Sequence, residues 1–203
     1  MINIAVFVSG GGSNLQAVMD GISSGLIQNA KIVLVLSSRA DAYALDRASG
    51  AGIPTAVISP EEYPDVQVRT STILAHLKEA DTSLIVLAGY MSILPKELVG
   101  AYAGRIINIH PSLIPKHCGK GYYGLRVHEA VLKSGDRESG ATVHYVDEGV
   151  DTGRIILQRK VPVLPGDTPE TLAARVLETE HEIIVEAVNI CLKSQEFCAM
   201  VYT

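Results

Sequence analysis

Short apolar runs recur through the first 110 positions: residues 2–8, 31–37, 55–58, 84–88 and 105–109. They are continuous rather than alternating, and this most constrains the fold. A strand with one wet face alternates apolar and polar residues; a continuous run must be covered on both faces. Between the runs lie segments with helical spacing, from about Asn14, over about 42–50, over 67–79 and after Pro95. Buried strands separated by helices predict a parallel sheet sandwiched between helices. After residue 120 the pattern changes. A helix is expected over about 125–133, but residues 141–146 and 155–163 are joined by an Asp/Gly-rich stretch with no helix between them, as antiparallel additions would be. Asp167-Thr168-Pro169-Glu170 opens a long final helix, with a capping candidate and Pro in the first turn. The expected fold is α/β: a Rossmann-like open, mostly parallel sheet with helices on both faces and antiparallel strands added in the C-terminal third. No linker or repeat divides it, so residues 1–203 are expected to form a single domain.

Composition narrows the function. Apolar residues make up 47% and charged residues 19% of 203 positions, enough for a sizeable core. The formal net charge of −5 argues against a broad nucleic-acid surface. It leaves room for an anionic small molecule, since a local loop can bind one phosphate whatever the global charge. The three cysteines, Cys118, Cys191 and Cys198, form no CxxC pair, so neither a disulfide framework nor a structural zinc site is expected. The N-terminus lacks a signal-peptide start, and the apolar run 84–94 is too short to span a bilayer. A soluble cytoplasmic protein without a membrane partner is expected.

Ser9-Gly10-Gly11-Gly12-Ser13-Asn14-Leu15 joins the first strand to the first helix. Glycines let the backbone approach a ligand, and the first N–H groups of a helix lack internal partners, so the segment suits a phosphate. GxGxxG fails because position 15 is Leu15, and Walker A fails because no Gly-Lys pair is present. A monophosphate fits better. The plainer alternative, with about equal weight on local sequence, is a tight turn with Ser13 or Asn14 capping the helix.

The run Arg105–Ile109 carries Asn108 and then meets His110 and Pro111. Alternation puts Asn108 and His110 on one face and Ile107 and Ile109 on the other. In a parallel strand this pair sits at the C-terminal end, where open α/β sheets bind ligands. An amide donor beside an imidazole suits reaction at a carbonyl: Asn donates to a developing oxyanion and His moves protons. A lone His is more often structural, and Asn at a strand end more often forms a turn. Their shared face favours a site. A carboxylate partner is available from Asp147, Glu148 and Asp151 in the loop 146–153, although a solvated acidic loop is the plainer reading for the first two, and spacing does not select among them. The six histidines contain no HExxH, and no metal is expected.

Taken together, Ser-Gly-Gly-Gly-Ser-Asn-Leu-Gln (9–16), Leu-Ala-Gly-Tyr-Met (87–91), Asn-Ile-His-Pro-Ser-Leu-Ile-Pro (108–115), the segment 140–153 and Arg-Val-Leu-Glu-Thr-Glu-His (175–181) resemble the phosphoribosylglycinamide formyltransferases, from Ile4 to about Ala187. The resemblance implies formyl transfer from 10-formyltetrahydrofolate, as cosubstrate, to the amine of glycinamide ribonucleotide. It implies catalytic roles for Asn108, His110 and Asp151, with Asp151 raising the His110 pKa. Gly12, Ser13 and Asn14 would hold the ribonucleotide phosphate, and Glu180 its glycinamide end. Met91, Ser92, Ile93 and Leu94, with Asn108 and the loop residues Asp147, Glu148, Gly149, Val150 and Asp151, would line the folate pocket. A monomer or homodimer is expected. Departures are Ser92 and Val66, where the family often carries Arg (Arg69 lies near the second), and a less common version of the 116–124 turn.

Two related enzymes share the core. Formyltetrahydrofolate hydrolase carries a regulatory domain before it and methionyl-tRNA formyltransferase a nucleic-acid-binding domain after it. The first strand at Ile2, the end at Thr203 and Pro111 after His110 set the expectation against both. The alternative of another class is a non-catalytic phosphate or folate sensor, against which Asn108, His110 and Asp151 speak together.

Overall fold

The computed structural model describes residues 1–194 together with 197 and 199. In chain order the elements are β1 (Ile2–Val8), α1 (Ser13–Ser23), β2 (Ala30–Ser37), α2 (Ala44–Gly50), β3 (Thr55–Val57), α3 (Val66–Glu79), β4 (Leu84–Leu87), α4 (Lys96–Ala101), β5 (Ile106–His110), α5 (Leu125–Ser134), β6 (Glu138–Tyr145), β7 (Ile155–Pro162) and α6 (Pro169–Lys193). They build one seven-stranded sheet in the order β3-β2-β1-β4-β5-β6-β7. The pairs from β3 to β5 are parallel, while β5–β6 and β6–β7 are antiparallel. The expected mixed α/β sheet is therefore present, with its antiparallel part in the C-terminal third.

Burial on both faces explains the continuous apolar runs. In β1, Ile4, Val6 and Val8 enter the core shared with Leu15 of α1 and Ile183 and Ile184 of α6. Ala5 and Phe7 enter the opposite core, with Ile73 and Leu77 of α3 and Leu98 of α4. The same parity holds in β5, where Ile107 and Ile109 face α6 and Ile106 faces the other layer. Each such fully buried aliphatic side chain contributes roughly 1.5–3 kcal/mol relative to exposure.

Most boundaries fall within a residue or two of the sequence reading; the start of β6 lies further off. β6 begins at Glu138, ahead of the expected 141, because Glu138-Ser139-Gly140 carries no apolar signal. Gly140 belongs there for a tertiary reason: a Cβ would lie 2.1 Å from the Arg159 carbonyl oxygen of β7. At the start of α6 the cap is Thr168, in a reciprocal capping box with Thr171 and with Pro169 following. Asp167, just before the cap, accepts from the Leu164 N–H and pairs with Arg175 at 2.8 Å. Among the described residues no helix is long and apolar enough to cross a membrane. Cys118 and Cys191 are free thiols; Cys198 lies outside the described residues.

Candidate active site

In the sheet order, β1 connects outward to β2 and β3 on one side, while β4 and β5 lie on its other side. The crevice of an open α/β sheet lies where the direction of winding reverses. A cavity of about 840 Å³ occupies this edge. It is lined by Asn14 after β1, Gly89–Leu94 after β4, Asn108 and His110 of β5, the 119–125 segment, the 146–151 loop and Glu180 of α6. Ser9 ties the two halves together, its hydroxyl accepting from the Met91 N–H at 2.8 Å while lying 2.6 Å from the Ser38 hydroxyl.

Asn108 and His110 share a face, as alternation requires. Antiparallel pairing sets His144 opposite Asn108. The His144 Nδ1 lies 2.8 Å from the Tyr145 carbonyl oxygen, which only accepts, so this nitrogen donates. The His144 Nε2 lies 3.2 Å from the Asn108 amide nitrogen, a contact that helps to orient the amide. The 147–153 loop leaves β6 where the Val146 N–H bonds to the Ile106 carbonyl at 2.9 Å, and it folds back across the Asn108 face. Gly153 permits this fold, since a Cβ there would lie 1.8 Å from the Tyr145 oxygen.

Of the three acids in this loop, Asp151 reaches the histidines. Its carboxylate stands 3.6 Å from His110 Nδ1 and 3.6 Å from His144 Nε2, accepts from the Gly119 N–H at 2.9 Å, and lies 3.5 Å from the Asn108 amide nitrogen. Asp151 holds φ 58, a left-handed conformation that a non-glycine residue keeps only where its surroundings demand it. Asp147 organises the loop from within, accepting from the Gly149 N–H and the Thr152 hydroxyl. Glu148 pairs with Lys96 on the surface. The cavity itself is bounded by Val150 and Gly149 as well as these acids.

The other nitrogen of His110, Nε2, lies 3.0 Å from the His117 carbonyl oxygen. It must therefore donate, which leaves Nδ1 to exchange a proton on the Asp151 side. Burial lowers the His110 pKa, and the opposing charge of Asp151 does not reverse this. Asp151 acts upward, as expected, but desolvation of the imidazolium outweighs a carboxylate held 3.6 Å away. For Asp151, burial acts upward, but His144, His110 and the Gly119 N–H together bring its pKa below the ordinary value.

At the glycine turn, neither Ser13 nor Asn14 caps α1. The N-cap is Gly12, with φ 72 and no side-chain cap. A Cβ on Gly12 would lie 2.6 Å from that of Ala44, so the turn packs directly on α2. Arg47 of α2 braces it, donating from Nε to the Gly11 carbonyl at 2.8 Å. Gly12 and Ser13 do not line the cavity, whereas Asn14 does. The Asn14 amide turns inward and donates to Glu180 Oε2 at 2.7 Å, joining residues 166 positions apart. Burial pushes the Glu180 carboxyl up to about 7, with the Asn14 bond acting against it.

Met91, Ser92, Ile93 and Leu94 form the opposite wall with Leu87, Val99 and Val146. Arg69 is not part of this wall; its guanidinium donates to the Tyr63 carbonyl. Sequence reasoning gave no role to His144 or to the loop N–H of Gly119. The register that sets His144 against Asn108 is a tertiary fact, and a backbone donor leaves no side-chain signal. His128 of α5 also borders the cavity, its pKa lowered to about 4 by burial and by His110.

The sequence profile of the formyl transferase family matches residues 2–188. The chain is 50% identical over 179 residues to the Drosophila pseudoobscura pseudoobscura trifunctional purine biosynthetic protein adenosine-3, covering 88% of this chain and 13% of that protein. It is 45% identical over 190 residues to the chloroplastic phosphoribosylglycinamide formyltransferase of Arabidopsis thaliana, covering 93% of this chain and 65% of that protein. The chain thus spans less than two thirds of either relative. The crystal structure of glycinamide ribonucleotide transformylase 1 from Symbiobacterium toebii superposes with a TM-score of 0.87 at 42% identity, covering 93% of this chain and 86% of that one. On the extent of that match and the identity of these relatives, the chain belongs to the formyl transferase family.

Proposed function

We propose that this chain transfers the formyl group of 10-formyltetrahydrofolate to the amine of glycinamide ribonucleotide, the purine-synthesis reaction for which its relatives are named. The observation that carries the reading is the convergence of Asn108, His110 and Asp151 at a cavity that Asn14 and Glu180 also line. The apolar wall of Leu87, Met91, Ile93, Leu94 and Val146 suits the flat heterocycle of the formyl donor, and the 147–151 backbone supplies polar edges. The uncapped start of α1 suits the ribonucleotide phosphate, and Glu180 suits the glycinamide end.

Reaction begins with attack of the substrate amine on the formyl carbon. Charge develops on the formyl oxygen, where the Asn108 amide donates. Buried His110 rests neutral and accepts the amine proton at Nδ1. The imidazolium so formed is stabilised by Asp151, assists the oxyanion, and returns the proton to the departing folate nitrogen. His144 keeps the Asn108 donor aimed. The working unit is a single domain over residues 1–203 that needs no metal, nucleic acid or membrane and acts as a monomer or homodimer in the cytoplasm.

The test is turnover with both substrates, read as tetrahydrofolate release. Release only when the ribonucleotide is present is expected. Release with the folate alone would identify a hydrolase, and binding without turnover would identify a sensor.

A further inference from the structure

Two catalytic groups share an unexpected neighbour, the backbone of the loop after β5. The His117 carbonyl accepts from His110 Nε2 at 3.0 Å, and the Gly119 N–H donates to Asp151 at 2.9 Å. This short segment thus fixes the His110 tautomer and one oxygen of Asp151 together. Within the segment the His117 ring lies against Tyr122, with centroids 6.2 Å apart, the Lys116 N–H bonds to the Leu113 carbonyl at 3.0 Å, and Gly119 and Gly121 flank Lys120 with positive φ. His117 itself adopts φ 50, in the left-handed region.

Its anchor lies outside the cavity. Asp136, in the turn between α5 and β6, accepts from Lys116 Nζ at 2.8 Å with one oxygen and pairs with His117 Nε2 at 2.8 Å with the other. Asp136 and His117 are only 20% and 14% exposed, so their pair is less screened than a surface one. The Ser112 hydroxyl adds a bond to the Lys116 carbonyl at 2.7 Å. One carboxylate therefore grips consecutive residues of a segment whose carbonyl sets the reacting imidazole.

We infer that Asp136 is a positioning residue for the formyl-transfer site: through Lys116 and His117 it holds the loop that fixes the His110 tautomer and the Asp151 carboxylate. The inference rests on the function proposed above for His110 and Asp151. Without Asp136 the His117 carbonyl drifts, the ring loses its bias toward the Nε2–H form, and Nδ1 is no longer reserved for the substrate proton.

The test compares wild type, Asp136→Ala, Asp136→Asn and Asp136→Glu by steady-state kinetics and by 15N spectra of the histidine rings, with His110 assigned from its loss in His110→Ala. In Asp136→Ala, kcat is expected to fall about 10- to 100-fold with KM for the ribonucleotide within about twofold, as for a small misplacement of a reacting group. The His110 ring changes from an Nε2–H signature to an averaged one, and Asp136→Glu restores both. If the alanine variant does not fold, the isosteric Asp136→Asn is read by the same criteria. An unchanged kcat, or a lowered kcat with the His110 signature intact, overturns the proposal. The ring spectra need no substrate. A wild type without turnover would therefore defeat the proposed function and leave the positioning question to the tautomer.

Discussion

Asn108 and His110 stand two positions apart and share a strand face, but their chemistry differs by what faces each ring or amide. Asn108 is aimed by His144 across the ladder, and His110 is fixed at Nε2 by a carbonyl and left free at Nδ1. Removing the imidazole should therefore take away the proton acceptor. His110→Ala is expected to lower kcat by about 10²- to 10³-fold, near 3–4 kcal/mol of barrier, in a protein that still melts cooperatively, at a midpoint lowered by the lost burial and the unpaired His117 carbonyl. Saturating kinetics beside a melting curve check this; a kcat near wild type would remove His110 from the chemistry. The sequence showed the pair and its shared face through period-two alternation. It did not show that burial would outweigh Asp151 in setting the imidazole, because burial depends on the loops that close over it.

Among elements, the β1–α1 turn carries the ribonucleotide hypothesis. Gly12 is needed twice over, for its φ of 72 and for the 2.6 Å approach to Ala44. Gly12→Ala should cost about 1–2 kcal/mol for the left-handed backbone alone, with the clash against α2 in addition. If the turn holds the phosphate, KM for the ribonucleotide rises while kcat at saturation changes less. A variant that melts lower with KM unchanged would make the turn purely structural. The glycine run advertised this element in the sequence. Its partners, Ala44 and Arg47, come from a helix with no such motif, and the Asn14 side chain bonds to Glu180.

Across the whole molecule, the cavity places ionisable groups where burial decides their charge, so stability should follow pH in two opposing ways. His128 titrates near 4 when folded and at its ordinary 6.5 when unfolded. Its contribution is present above 6.5 and is lost as pH falls toward 4, because the unfolded chain binds the proton first. Glu180 runs the other way: raised to about 7 from 4.5, its contribution is full below 4.5 and is lost as pH rises through 7. Denaturant unfolding of His128→Gln should show an acid-side decline shallower than wild type by up to about 3 kcal/mol between these limits. Curves parallel to wild type over that window would show that His128 is not held neutral by the fold.

The sequence by itself determined the layered sheet, because a strand covered on both faces must be apolar at every position and a helix on one face only. It determined that Asn108 and His110 share a side, since alternation is a property of the strand itself, and it carried the family's motifs. Tertiary structure decided the contacts between segments distant along the chain. Asp151 was selected over Asp147 and Glu148 by a loop folding back over β5, which Gly153 allows by leaving room for the Tyr145 carbonyl. His144 joined the site through antiparallel register, and Asn14 met Glu180 across 166 residues. The His110 tautomer was decided by a backbone carbonyl, which every residue possesses and no sequence pattern marks. Local periodicity records which face is buried; which groups meet there is set by the closure of loops in three dimensions.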